Sequence, residues 1–145
     1  MTDTTPTESN LSGLDRKDFQ KNINSRKTDL YILKNAQGME VAVTNYGCAI
    51  LSIMVPDKNG KFANVILGHD SIEHVINSPE PFLSTTIGRY GNRIANGKFT
   101  LYGEEHQLTV NNGPNSLHGG PTGFHARVWD AVQPNESTVI FNYTS

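Results

Sequence analysis

Short runs of Val, Ile, Thr, Tyr and Phe recur along the chain, and each is closed within a few residues by Asn, Gly, Pro or Asp. That punctuation is the strongest constraint on the fold, because such residues end regular structure and build tight turns. The 15 Asn, 13 Gly and 7 Pro make 35 of the 145 residues, about a quarter of the chain, which leaves little room for long helices. The segments between them are β-branched and aromatic, the types that fit a pleated, half-buried surface.

Four strand pairs follow. Leu30 to Lys34 and Met39 to Val43 flank Asn35-Ala36-Gln37-Gly38, with Met39, Val41 and Val43 alternating as the apolar set. Ala49 to Val55 and Phe62 to Leu67 flank Asp57-Lys58-Asn59-Gly60. Lys98 to Tyr102 and His106 to Val110 flank a turn at Gly103-Glu104-Glu105, and Val128 to Val132 and Thr138 to Tyr143 flank Gln133 to Ser137. Asp70-Ser71-Ile72-Glu73 predicts one short helix ending near Asn77, with an acidic cap at its start. Eight strands at this spacing predict an all-β, antiparallel β-sandwich or barrel. Thr138 to Tyr143 is a full strand signal close to the last residue, which implies a continuation or a second chain to pair with it.

Charge and length exclude several classes. With 12 Lys+Arg against 14 Asp+Glu, the chain lacks the basic excess of a nucleic-acid binder. Met1 to Asn10 has neither a basic start nor an apolar run, so it is no secretory signal, and residues 1–28 read as a partly disordered lead-in. Cys48 to Val55, the most apolar stretch, falls far short of the roughly 20 residues that span a bilayer. The lone Cys48 cannot form an internal bridge, and with the missing export signal it points to the cytoplasm. A chain this long buries about 70% of its unfolded surface, so a real core is expected without disulfides.

Two segments are candidates for chemistry. Pro81 to Gly103 has no acidic residue and carries Arg89, Arg93 and Lys98, and in Gly88-Arg89-Tyr90-Gly91-Asn92-Arg93 two glycines allow tight turns while Asn92 and Arg93 offer planar donors. Such donors suit a polyhydroxyl or carboxylate ligand. His106 to Ala126 has no Asp, Glu, Lys or Arg and no periodicity at its centre, the mark of a packed functional loop. His118, followed by Gly119-Gly120, reads either as a structural His bonding the loop backbone or as a ligand contact. His118 and His125 match no metal-ligand spacing, His69 and His74 read as surface residues, and Cys48 reads as a small buried residue. Glu104-Glu105, expected in a solvated turn, is the sole adjacent carboxylate pair, so no acid/base couple is visible.

Thr44-Asn45-Tyr46-Gly47, Val55-Pro56-Asp57 with Asn59-Gly60, Val65-Ile66-Leu67-Gly68, Ile87-Gly88-Arg89-Tyr90-Gly91-Asn92-Arg93-Ile94-Ala95, and Asn115-Ser116-Leu117-His118-Gly119-Gly120 with Gly123-Phe124 and Trp129 are similar, in order and spacing, to the aldose 1-epimerases, or galactose mutarotases. The resemblance covers residues 29–145 and implies an antiparallel β-sandwich of the galactose mutarotase type whose concave face holds an aldohexose. It also implies interconversion of α and β anomers by ring opening, with no metal and no organic cofactor. By that resemblance Asn92 and Arg93 match the sugar-binding Asn-Arg pair, and His118 matches a substrate-contacting His that assists catalysis. Arg89 is expected to fix the loop. The family's proton-donating His and its general-base Glu match nothing in these residues, and Leu83-Ser84-Thr85 departs from the usual pattern. The chain is therefore expected to be the N-terminal, sugar-binding part of such an enzyme: a truncated gene product, a stretch of a longer polypeptide, or half of a split protein completed by a C-terminal chain. The alternative left open is a non-catalytic carbohydrate-binding or interaction module on the same fold.

Overall fold

The computed structural model describes residues 10–145. Its strands, in chain order, are β1 (Asn22–Ile23), β2 (Arg26–Lys27), β3 (Leu30–Lys34), β4 (Glu40–Thr44), β5 (Ile50–Pro56), β6 (Phe62–Asn64), β7 (Arg93–Ile94), β8 (Lys98–Leu101), β9 (Glu104–Gln107), β10 (Ser116–Leu117), β11 (Asp130–Asn135) and β12 (Thr138–Asn142). Every pairing is antiparallel. Among the described residues the one α-helix is α1 (Ile72–Ile76), and three single 3₁₀ turns complete the regular structure. The architecture is all-β and antiparallel, as the punctuated pattern predicts.

The central unit is the meander β3-β4-β5-β6. Its first and third turns are set by side chains that imitate a backbone turn. Asn35 Oδ1 accepts from the amides of Gln37 and Met39 (3.0 and 2.9 Å), and Asp57 Oδ1 accepts from those of Asn59 and Lys61 (2.8 and 2.9 Å). Ala42 pairs with Ser52 and Val43 with Ile50, so Leu51 is an extra residue that the bulge turns into the core.

The buried face of this sheet is not the one that the apolar alternation marks. Glu40, Ala42 and Thr44 are fully buried, whereas on the expected face Val43 is buried and Met39 and Val41 are half-buried. Phe19 explains the difference: a 3₁₀ turn at Arg16–Phe19 drops its ring, 0% exposed, into a cluster with Leu30, Ala42, Ala49, Leu51, Ile72 and Val75. The Glu40 carboxylate accepts from the amides of Leu11 and Ser12 (2.9 and 3.0 Å), which ties the incoming segment across the sheet. The expected lead-in over residues 1–28 lies partly outside the described residues. Within them, Phe19 and Thr28 are the buried residues of Asn10 to Thr28, most of which is exposed, and the Thr28 hydroxyl donates to Phe19 O (2.7 Å).

Other boundaries move for local reasons. Phe62 to Leu67 was expected as one strand, but β6 ends at Asn64, whose Oδ1 takes the Ile53 amide (3.0 Å) in place of a ladder bond. Val65 and Leu67 are left exposed. The β8-β9 turn is Tyr102-Gly103, with φ of 50° and 85°, a two-residue hairpin geometry that needs positive φ at both places. Glu104 and Glu105 therefore lie in β9 and not in a turn, and Glu105 pairs with Lys98 Nζ (2.8 Å). Leu108 to Val110 lies outside the ladder, where Leu108 N donates to Gly97 O (2.7 Å). The helix cap is Ser71, whose Oγ accepts from His74 N (3.3 Å); the expected cap, Asp70, instead pairs with His74 Nδ1 (2.5 Å).

Asn45 is the polar hub under the sheet. Its Oδ1 accepts from Asp29 N (2.8 Å), and its Nδ2 donates to Lys27 O (3.1 Å) and Trp129 O (2.9 Å), so one buried amide joins three segments. Trp129, Phe124 and Tyr143 then pack together, with centroids 5.3 to 6.1 Å apart, and hold β11-β12 against the loops.

Candidate active-site junction

The two candidate loops meet. β7 pairs with β10, Arg93 opposite Leu117 and Ile94 opposite Ser116, which sets Asn92 and Arg93 beside His118. Gly119 makes this approach possible: at φ +89°, a Cβ there would stand 2.0 Å from Gly88 O. Only glycine combines that backbone angle with that contact.

At the junction His118 N donates to Asn92 O (3.0 Å), and Asn92 N donates to His118 Nδ1 (2.9 Å). Because Nδ1 accepts, the ring proton resides on Nε2, which becomes a donor. His118 thus bonds the loop backbone through one nitrogen, and its Nε2 makes no hydrogen bond among the described residues. Arg93 Nη1 donates to Asn92 Oδ1 (3.3 Å) and Nε to Asn112 Oδ1 (2.8 Å). Asn92 and Arg93 are exposed, and His118 is half-buried with the Phe82 ring edge-on at 4.8 Å. The junction is a compact set of hydrogen-bond donors, His118 from an uncharged loop and Arg93 from a cationic one, suited to oxygen acceptors.

Three supporting residues escape a reading of the sequence. Asn111 brackets the residue before His118, accepting from Leu117 N (2.7 Å) and donating to Leu117 O (3.0 Å), and Asn112 holds Arg93. Phe82 lies between His118 and His125, 4.5 Å from the latter. The Asn-Asn pair before Gly113-Pro114 was the available signal, but nothing in it says which side chains reach back to the chain. His125 is buried, and its Nδ1 has no partner among the described residues; burial first, then His118 and Arg127, hold its imidazole below the ordinary range.

Arg89 points away from the junction, donating to Ser145 O (2.9 Å). A cavity of about 870 Å³ on that side is lined by Arg89, Phe99, Phe124, Arg127 and Tyr143. It is lined by Arg93 and Gly119 but by neither Asn92 nor His118, so it adjoins the donor cluster and shares Arg93 with it. Burial pushes the Cys48 thiol up to about 12, which keeps it protonated and without nucleophilic character. No three His, Cys, Asp or Glu side chains gather around a common point among the described residues.

The family model for aldose 1-epimerase matches residues 29–145. The chain belongs to the aldose 1-epimerase family. Among curated relatives, the aldose 1-epimerase of Escherichia coli is 40% identical over 116 residues, covering 80% of this chain and 33% of that protein. The galactose mutarotase of Bos taurus is 43% identical over 91 residues, covering 63% of this chain and 26% of its own length. The crystal structure of an aldose epimerase homologue from C. elegans superposes with a TM-score of 0.74 at 33% identity, over 79% of this chain and 35% of that one. The chain thus spans about a third or less of these relatives. The epimerase match includes the whole junction and begins at Asp29, so Phe19 fills the core from outside the matched region. No helix among the described residues is long and apolar enough to cross a membrane.

Proposed function

We propose that this chain supplies the hexose-binding Asn-Arg-His part of an aldose 1-epimerase, acting on the anomeric centre of an aldohexose such as glucose or galactose. The observation that carries the reading is the Asn92–His118 clasp, which holds a His Nε2 donor and the adjoining Arg93 guanidinium on one surface. Anomer exchange needs a base at the anomeric hydroxyl and an acid at the ring oxygen. It also needs donors that orient the sugar and bear charge building on its oxygens. Asn92 and Arg93 orient the substrate, and His118 assists by donating to a sugar oxygen.

The proton-donating His and the general-base Glu match no residue here, so they come from the length that the relatives have beyond the match, within a longer polypeptide or a C-terminal partner chain. These 145 residues then bind without epimerising. The cytoplasm, where a lone thiol stays reduced, is the proposed compartment.

Titration of the isotope-labelled chain with D-galactose, followed by amide shifts, tests the reading together with polarimetry of fresh α-D-glucose. Saturable shifts centred on Asn92, Arg93 and His118, with mutarotation at the buffer rate, are expected. Absence of shifts at those residues overturns the binding reading, and mutarotation at an enzymatic rate overturns the division of labour.

A further inference from the structure

We infer that Asn112 is a positioning residue for hexose binding, acting through Arg93; this rests on the binding role proposed above. An exposed arginine samples many rotamers, and fixing it costs side-chain entropy when it meets a ligand. Here that cost is met before binding. Asn112 Oδ1 takes the Arg93 Nε–H at 2.8 Å and Asn92 Oδ1 takes Nη1 at 3.3 Å, and two acceptors on one planar guanidinium fix both its direction and its plane. A donor set in advance binds weak, neutral sugar oxygens better than one that must be ordered by them.

Asn112 can do this because its own backbone is held. Asn112 N donates to Asn115 O (3.1 Å) and Asn115 N to Asn112 O (3.0 Å), closing a tight turn over Gly113-Pro114. Next to it, Asn111 binds both backbone groups of Leu117, which faces Arg93 across β7-β10. The adjacent asparagines therefore share the work: Asn111 sets the strand that leads into His118, and Asn112 sets the guanidinium beside it. Neither needs to touch the sugar.

The test follows the Arg93 Nε–H resonance of the ¹⁵N-labelled full chain, assigned through Arg93→Lys, alongside D-galactose affinity. Asn112→Ala is expected to shift that resonance to the position of a solvated arginine and to weaken galactose binding roughly tenfold, as for loss of one hydrogen bond to a charged group. Asn112→Asp keeps an acceptor, and both the resonance and the affinity should stay within a factor of ~2 of wild type. A purely structural role would spare the Arg93 resonance, or would leave Asp unable to rescue. Wild-type affinity in Asn112→Ala, or loss of binding in a folded Asn112→Asp with the Arg93 resonance in place, overturns the inference. Failure of the unmodified chain to bind galactose overturns the proposed function and this inference with it. Should Asn112→Ala not fold, Asn112→Asp alone decides.

Discussion

Asn92 and His118 bond each other twice, once from backbone to backbone and once from the Asn92 amide to the His118 ring. Both residues have positive φ, 62° and 55°, so each loop is turned toward the other at the point of contact. The ring cannot rotate about its bonds without losing the Asn92 amide. One contact therefore determines the orientation of His118, its tautomer, and the place from which Arg93 leaves the backbone.

Replacing His118 separates the structural from the binding role. Asparagine tolerates the left-handed conformation, and its Oδ1 can take over from Nδ1, but it offers nothing at the Nε2 position. His118→Asn should keep stability within ~0.5 kcal/mol, whereas His118→Ala, which strands the Asn92 amide, should lose about 1 kcal/mol. Both should weaken galactose binding more than ~10-fold, as expected for a lost hydrogen-bond donor in a preorganised site. Chemical denaturation and hexose titration of the pair check this. Wild-type affinity in His118→Asn would remove Nε2 from the site.

Gly119→Ala should be among the costliest substitutions in the loop. The new Cβ would stand 2.0 Å from Gly88 O at a φ of +89°, and both walls are backbone, so neither can rotate aside. Strain and clash together predict a loss above ~2 kcal/mol, with β7-β10 pairing disrupted. Thermal melts and the amide spectrum of Asn92 and His118 report it; a native-like spectrum would show that the loops can part without cost.

The antiparallel all-β class and the helix near residue 72 were legible, because turn residues and strand-forming blocks act locally, whereas a shared site for the two candidate loops came only as an implication of the family resemblance. The direction in which the sheet faces its core was not legible. The alternation of Met39, Val41 and Val43 marks one face correctly as apolar, yet the fully buried side chains are Glu40, Ala42 and Thr44 on the other. That choice depends on Phe19 and on the amides of Leu11 and Ser12, which lie far away in sequence. The site shows the same division: Asn92, Arg93 and His118 could be named from their loops, but Asn112 and Phe82 matter only through contacts across 19 and 36 positions, which no local pattern records.

Asn45→Ala should destabilise the chain more than any surface substitution. It leaves the Asp29 amide and the Lys27 and Trp129 carbonyls without their partner in a buried setting. At about 1–3 kcal/mol for a buried group left unsatisfied, a loss of at least ~2 kcal/mol is expected. Asn45→Asp replaces the donor by an acceptor facing two carbonyls and should be worse still. Denaturant midpoints of the two variants provide the comparison, and a change below ~0.5 kcal/mol in Asn45→Ala would mean that water replaces the hub.

Stability should fall as pH drops below about 6.5 on account of His125. Burial, with His118 and Arg127 nearby, lowers the folded value of its imidazole below 6.5, so the unfolded chain takes up a proton first on acidification. A lowered folded value means that the contribution is complete above pH 6.5 and is lost as pH falls through the folded value, by at most ~1.4 kcal/mol per pH unit for one group. Asp29 acts elsewhere: burial raises its carboxyl, but hydrogen bonds from Arg16, Leu30 N and Gln20 outweigh that and lower it, so its loss begins only as pH drops through the carboxylate range. His125→Gln should lower the melting temperature near neutral pH, because Phe82 loses its edge contact, and should flatten the slope below about pH 6.5. A variant that melts with an unchanged slope across this window would show that His125 titrates alike in both states.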